Sequence, residues 1–162
     1  MSQAQKIGIP NDLRDFDPLI MDDYCRQKGE LFAKGEDGGK YKVTSSKLRN
    51  FFARVSSLRT FYRNPGKYDF EKFYSKLKRE ITLLKPTLAY AYGREKDLKN
   101  FYNETTDLIN KTINSLDREY LSKKNDIEKN KKEASLKFES LENFFAVLEG
   151  FVAYHKFYGG KE

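Results

Sequence analysis

Apolar residues recur at steps of three and four along most of this chain, and no stretch alternates apolar and polar over the length of a strand. Leu48, Phe51, Val55, Leu58 and Tyr62 make one such series. Phe70, Phe73, Leu77, Ile81 and Leu84 make a second, and Leu98, Phe101, Thr105, Ile109, Leu116 and Tyr120 a third. Ala134, Phe138, Leu141, Phe145, Leu148 and Val152 form a fourth. At 3.6 residues per turn each series lies on one helical face and must be covered by another element. The pattern predicts an all-α fold, a compact bundle of about five or six helices.

Local punctuation sets the expected boundaries. Asp17-Pro18 reads as an N-cap with proline at the first helical position, opening a helix through Leu19, Ile20, Tyr24, Leu31 and Phe32 that Gly35 ends. Thr44 or Ser45 is expected to cap the next helix through its side-chain oxygen, and Asn64-Pro65-Gly66 breaks it. Asp69 caps a third helix, Pro86 is expected to open a further element as a first-turn proline, and Gly93 to mark a kink or a close backbone approach. Residues 1–16 carry no period and are expected to form a flexible N-terminal arm, with 17–160 a single helical domain. No Gly or Pro occurs between Arg94 and Gly150, so the polar stretch Ser122 to Lys132 has two outcomes. Either it turns as a helix hairpin, or it continues as one long helix with Leu116, Tyr120, Ile127, Ala134 and Phe138 along a seam. In the second case the C-terminal stripe pairs with a second copy, a domain-swapped homodimer of the isolated protein.

Composition narrows the chemistry. The 162 residues include one Cys, Cys25, and one His, His155, too few for a zinc site or for a Cys/His nucleophile without joining far ends of the chain. No pair of carboxylates has supporting residues for acid/base work, so no enzyme activity, cofactor or metal is expected. Glu36-Asp37-Gly38-Gly39-Lys40 fails as a phosphate loop, because Lys34 stands where the first glycine belongs and Tyr41 replaces the hydroxyl residue. No apolar run is long enough to span a bilayer, and the chain is expected to be cytoplasmic.

The formal charge of +7 favours a polyanionic partner. Basic residues beside the apolar stripes, and not within them, are the candidate RNA contacts: Lys47, Arg49, Arg54, Arg63, Lys85 and Arg94, with Lys78 and Arg79 extending the basic character. Arginine suits phosphate because its planar fork donates two parallel hydrogen bonds. Arg59 falls inside the stripe of Leu48, Phe52 and Val55, where a structural ion pair competes with a contact to a neighbouring protein. Tyr90 and Tyr92 beside Arg94 are either core or base-stacking residues, and the aromatic group Phe144, Phe145, Phe151, Tyr154, Phe157 and Tyr158 is either core or subunit interface. These residues alone support a basic, helical protein that binds nucleic acid; the runner-up is a helical protein scaffold with incidental nucleic-acid affinity, and a small helical enzyme is a weaker third class.

Three passages carry a resemblance: Thr44 to Arg59, then Leu84-Lys85-Pro86-Thr87-Leu88-Ala89-Tyr90-Ala91-Tyr92-Gly93-Arg94, then Ala153-Tyr154-His155-Lys156-Phe157-Tyr158-Gly159-Gly160. In order and spacing they resemble the small α-helical subunit of type III-A CRISPR interference complexes, the Csm small subunit, over roughly residues 42 to 160. The resemblance implies a non-catalytic subunit that stacks in a short filament and follows the crRNA-target RNA duplex. Its partners would be the crRNA-binding backbone subunit and the large polymerase-like subunit. The family's basic positions would fall on Lys47, Arg49, Arg54, Lys85 and Arg94, and the first forty residues contain no motif to transfer.

Overall fold

Aspartates placed one residue ahead of two apolar stripes start two helices as expected. In the computed structural model, which describes residues 8–130 and 135–162, Asp17 accepts hydrogen bonds from the amides of Leu19 and Ile20 at the start of α1 (Pro18–Lys34). Asp69 accepts from Lys72 N–H at the start of α3 (Phe70–Arg94). Each bond satisfies a backbone donor that the first helical turn leaves without a partner. Gly35, at φ 72°, ends α1 in the left-handed region that side chains other than glycine's rarely enter. The remaining helices are α2 (Arg49–Arg63), α4 (Lys99–Asn130) and α5 (Glu139–Phe157), making five α-helices and no β-strand among the described residues.

α2 and α3 form an antiparallel hairpin through Asn64-Pro65-Gly66, and α4 runs back along α3, with Tyr74 stacked on Tyr120 at one end and Tyr92 tilted against Tyr102 at the other. α5 returns antiparallel to α4, Phe138 packing near Tyr74 and Phe151 near Phe101. α1 lies parallel to α5: Cys25 meets Gly150, Gly29 meets His155, and Lys34 covers the Tyr158 ring, so contacts advance together along both helices. Gly29 and Gly150 allow this approach, since a Cβ on Gly150 would sit 2.5 Å from Cys25 Sγ. One continuous core results, rich in edge-to-face and stacked rings such as Phe32 with Phe101 and Phe151.

Several expectations are corrected. Residues 8–16 are not a loose arm: Ile9, Leu13 and Phe16 are buried, Leu13 N–H donates to Ser115 Oγ at 2.8 Å, and Asn143 Nδ2 donates to Leu13 O at 2.8 Å. Residues 1–7 of that expected arm lie outside the described residues. Thr44 makes no side-chain cap; the chain enters α2 through a 3-10 turn, Ser45–Leu48, with Ser45 N–H held by Lys161 O at 3.0 Å. Pro86 opens no element but lies inside α3, because Leu84 and Leu88 on either side of it are both fully buried. Burying two leucines, at about 1.5–3 kcal/mol each, outweighs the roughly 3 kcal/mol that an internal proline costs. Gly93 makes no close approach: a Cβ there would meet nothing, and the helix ends one residue later.

The stretch from Ser122 is helical to the end of α4 at Asn130, as its Lys and Glu content allows. Reversal follows α4, and Ser135 to Phe138 are not helical, so the fourth stripe begins at Phe138 in place of Ala134, which lies outside the described residues together with Lys131 and Lys132. α5 then packs within its own chain, the compact outcome with a later turn. Its first turn is capped from a distance by Glu119, 6% exposed, whose carboxylate accepts from Glu139 N–H (2.8 Å), Ser140 N–H (3.0 Å) and Ser140 Oγ (2.7 Å).

Candidate nucleic-acid interface

The open end of the α2/α3 hairpin brings basic residues together. The start of α2 faces the last turns of α3 across a groove of about 890 Å³, and Lys47, Arg49, Arg54 and Arg94 all line it. Their convergence follows from the antiparallel pairing: Asn50, Ala53 and Arg54 share one side of α2, while Leu83, Thr87, Tyr90 and Arg94 share one side of α3. Ala53 is small, which leaves the groove open between the arginines. Phe51 and Leu88, buried beneath, tie the walls to the core.

Arg49, Arg54 and Arg94 are exposed, and none forms an ion pair among the described residues. Clustered cations without carboxylate partners repel one another, and an anion in the groove relieves that repulsion. Lys47 differs: its Nζ lies 3.3 Å from Glu95 and 3.8 Å from Asp97, so its charge is already answered within the chain. Glu95 is the one carboxylate lining the groove among the described residues.

The other sequence candidates lie elsewhere. Lys85 is half-buried on α3, next to the groove residue Pro86 but outside the lining. Arg63 is exposed at the far end of α2, fourteen residues and roughly 21 Å along the helix from Arg49. Lys78 is engaged by Asp117 at 3.0 Å, a carboxyl that burial raises above the usual range. Arg59 makes the structural ion pair, 2.7 Å from Glu149, with its guanidinium 4.9 Å from the Phe145 ring centroid, and so links α2 to α5.

The two candidate stacking tyrosines part company. Tyr92 packs on Tyr102 at 4.7 Å and lies under Lys96, whereas Tyr90 lines the groove and is 65% exposed. Sequence reasoning missed Asn50 and Ala53 as groove residues, because neither is basic and only the pairing of α2 with α3 brings them opposite Tyr90 and Arg94.

The lone cysteine and histidine are structural. Cys25 is buried with Sγ 3.5 Å from Val147 O, and burial pushes its thiol up to about 12. His155 is buried with Nε2 2.7 Å from Val43 O, an N–H donor to that carbonyl. Among the described residues no group of three His, Cys, Asp or Glu side chains is arranged to hold a metal ion, and no helix is long and apolar enough to cross a membrane.

No curated protein and no solved structure matches the chain. The family model described as Csm2 Type III-A matches residues 26–161, a span that begins within α1, contains the whole groove and ends beyond α5. The chain therefore belongs to the Csm2 family of type III-A CRISPR systems, as a small subunit of Csm complexes.

Proposed function

We propose that this small subunit serves type III-A interference without catalysing a reaction, holding the sugar-phosphate backbone of the crRNA-target RNA duplex in the α2/α3 groove. The observation that carries the reading is the meeting of Arg49, Arg54 and Arg94, exposed and free of ion pairs among the described residues, on one open groove. Phosphate contacts of this kind position the protein on the duplex and leave sequence to be read by guide pairing. Lys47, held by Glu95, adds a fourth cation only when that pair opens. Arg63 and Lys85 fall to secondary contacts along the same duplex or to none.

Stacking of copies in a short filament beside the crRNA-binding backbone subunit and the large polymerase-like subunit completes the reading. Exposed apolar side chains at opposite ends of the parallel α1/α5 pair, Leu19 at 79% and Phe157 at 74%, support protein contacts at the two ends. The test of the RNA reading is the salt dependence of binding. Replacing Arg49, Arg54 and Arg94 together by Ala should weaken affinity alike for unrelated sequences and flatten the log-log salt slope by up to about one unit per lost contact. A control triple of Lys72, Lys124 and Lys129, exposed and outside the groove lining, should leave the slope nearly unchanged. Equal slopes for the wild type and the groove variant would remove the groove from the RNA path.

A further inference from the structure

Tyr90 sits in the cationic groove without the packing that accounts for the other ring near it. Its neighbour Tyr92 faces the α3/α4 contact and packs at a tilt on Tyr102, while Tyr90, two residues earlier and on the other side of α3, contacts no ring of another described aromatic. One exposed tyrosine on a helix is unremarkable in itself. This one has the Arg94 guanidinium 5.8 Å from its ring centroid and the exposed ring of Pro86 one turn before it. Across the groove stand Arg54 and the small Ala53. The space of about 890 Å³ lies within the range of roughly 300–1,000 Å³ found for small-molecule and cofactor sites.

Resting on the proposed function, we infer that Tyr90 is a stacking platform for one unpaired base of the bound RNA, with Arg94 and Arg54 holding the phosphates that flank it. A base inside a duplex has both faces covered by its neighbours, so only a base out of the stack can offer a face to the tyrosine. Aromatic rings beside a cationic track are the arrangement by which single-stranded nucleic acid is held with little regard to sequence. Pro86 adds an apolar edge at the same level, and the helix carries it at the cost of one internal backbone hydrogen bond. The ligand class is therefore an RNA duplex interrupted by an unpaired nucleotide, and the groove distinguishes it from a continuous duplex.

The experiment uses the full-length protein with three RNA probes of one sequence: a fully paired duplex, the same duplex with a single unpaired 2-aminopurine, and the same with an abasic residue at that point. The wild type should bind the 2-aminopurine probe about tenfold more tightly than the other two, with quenching of its fluorescence. Tyr90→Ala should erase both the preference and the quenching while keeping the salt slope, since no phosphate contact is lost. Tyr90→Phe should retain them, because stacking needs the ring and not the hydroxyl. Absence of any preference in the wild type, or a preference that survives Tyr90→Ala, overturns the inference. Those results are separable from failure of the RNA reading, which would appear as a wild-type salt slope indifferent to the three arginines.

Discussion

Replacing Glu119 by Ala should cost about 2–4 kcal/mol of stability. Three hydrogen bonds converge on this buried carboxylate from the first residues of α5, whose own N-cap position is Phe138 and carries no capping oxygen. Loss of a side-chain N-cap alone costs about 1 kcal/mol, and hydrogen bonds to a charged acceptor contribute about 1.5–3 kcal/mol each. The sum is lowered because the variant no longer has to desolvate a carboxylate, and raised because the Ser140 hydroxyl, fully buried, loses its acceptor. Glu119→Gln keeps one acceptor oxygen but turns an amide N–H₂ toward a backbone donor and loses the favourable charge at the helix start, for about 1–2 kcal/mol. Urea unfolding followed by circular dichroism measures both. With a slope near 2 kcal/mol/M, the Ala midpoint should fall by roughly 1–2 M with the slope unchanged. Hydrogen exchange should quicken first in the opening turn of α5. An Ala variant within 0.5 kcal/mol of the wild type (about the scatter of ordinary surface changes), or as mild as Gln, would refute the cap as the anchor of α5.

Gly150→Ala should destabilise by more than about 2 kcal/mol although alanine is ordinarily the better helix former by about 1 kcal/mol, because the new Cβ would overlap Cys25 Sγ at 2.5 Å and Cβ at 2.7 Å; calorimetry of the variant checks it, and an unchanged melting temperature would mean that α1 and α5 can move apart freely. Cys25 should resist a thiol reagent at pH 8 in the folded protein and react promptly in urea, since burial pushes its thiol up to about 12 from its ordinary value of 9.0. The sign of the linked stability follows: between those two values the unfolded thiol has released a proton that the folded one still holds, so stability falls as pH rises through that window. Unfolding free energies measured from pH 8 to 11 should show that decline, and Cys25→Ala should reduce it.

What could be read from the sequence was what neighbours along the chain decide. Asp17 and Asp69 cap amides two or three residues ahead; the stripe after Asp69 is buried as its spacing requires, whereas of the stripe after Asp17 only Tyr24 and Phe32 are buried and Leu19 and Ile20 stay exposed. Long-range bonds defeated the rest. Thr44 does not cap: Lys47 N–H goes to its carbonyl and not to its hydroxyl, and Ser45 N–H is held by a carbonyl near the other end of the chain. Ile9, Leu13 and Phe16 are too few to show a period, and their segment is fixed by Lys111, Ser115 and Asn143, which only the folded bundle brings near. Pro86 reads as a helix start locally, yet two buried leucines carry α3 through it. At the groove, Arg49, Arg54 and Arg94 could be picked out as basic residues beside apolar stripes. Their convergence, the separation of Arg63 from them and the pairing of Lys47 with Glu95 all follow from the antiparallel docking of α2 and α3.

The central claim is that the α2/α3 groove faces RNA, and photo-crosslinking in the assembled type III-A complex tests it most directly. Target RNA carrying 4-thiouridine is irradiated in the complex, and the adducts on this subunit are located by peptide mass spectrometry. The account predicts adducts in peptides that span residues 46–54 and 83–95, lost when Arg49, Arg54 and Arg94 are replaced by Ala. Adducts concentrated on α1 or α5, with the groove peptides unlabelled, would contradict it.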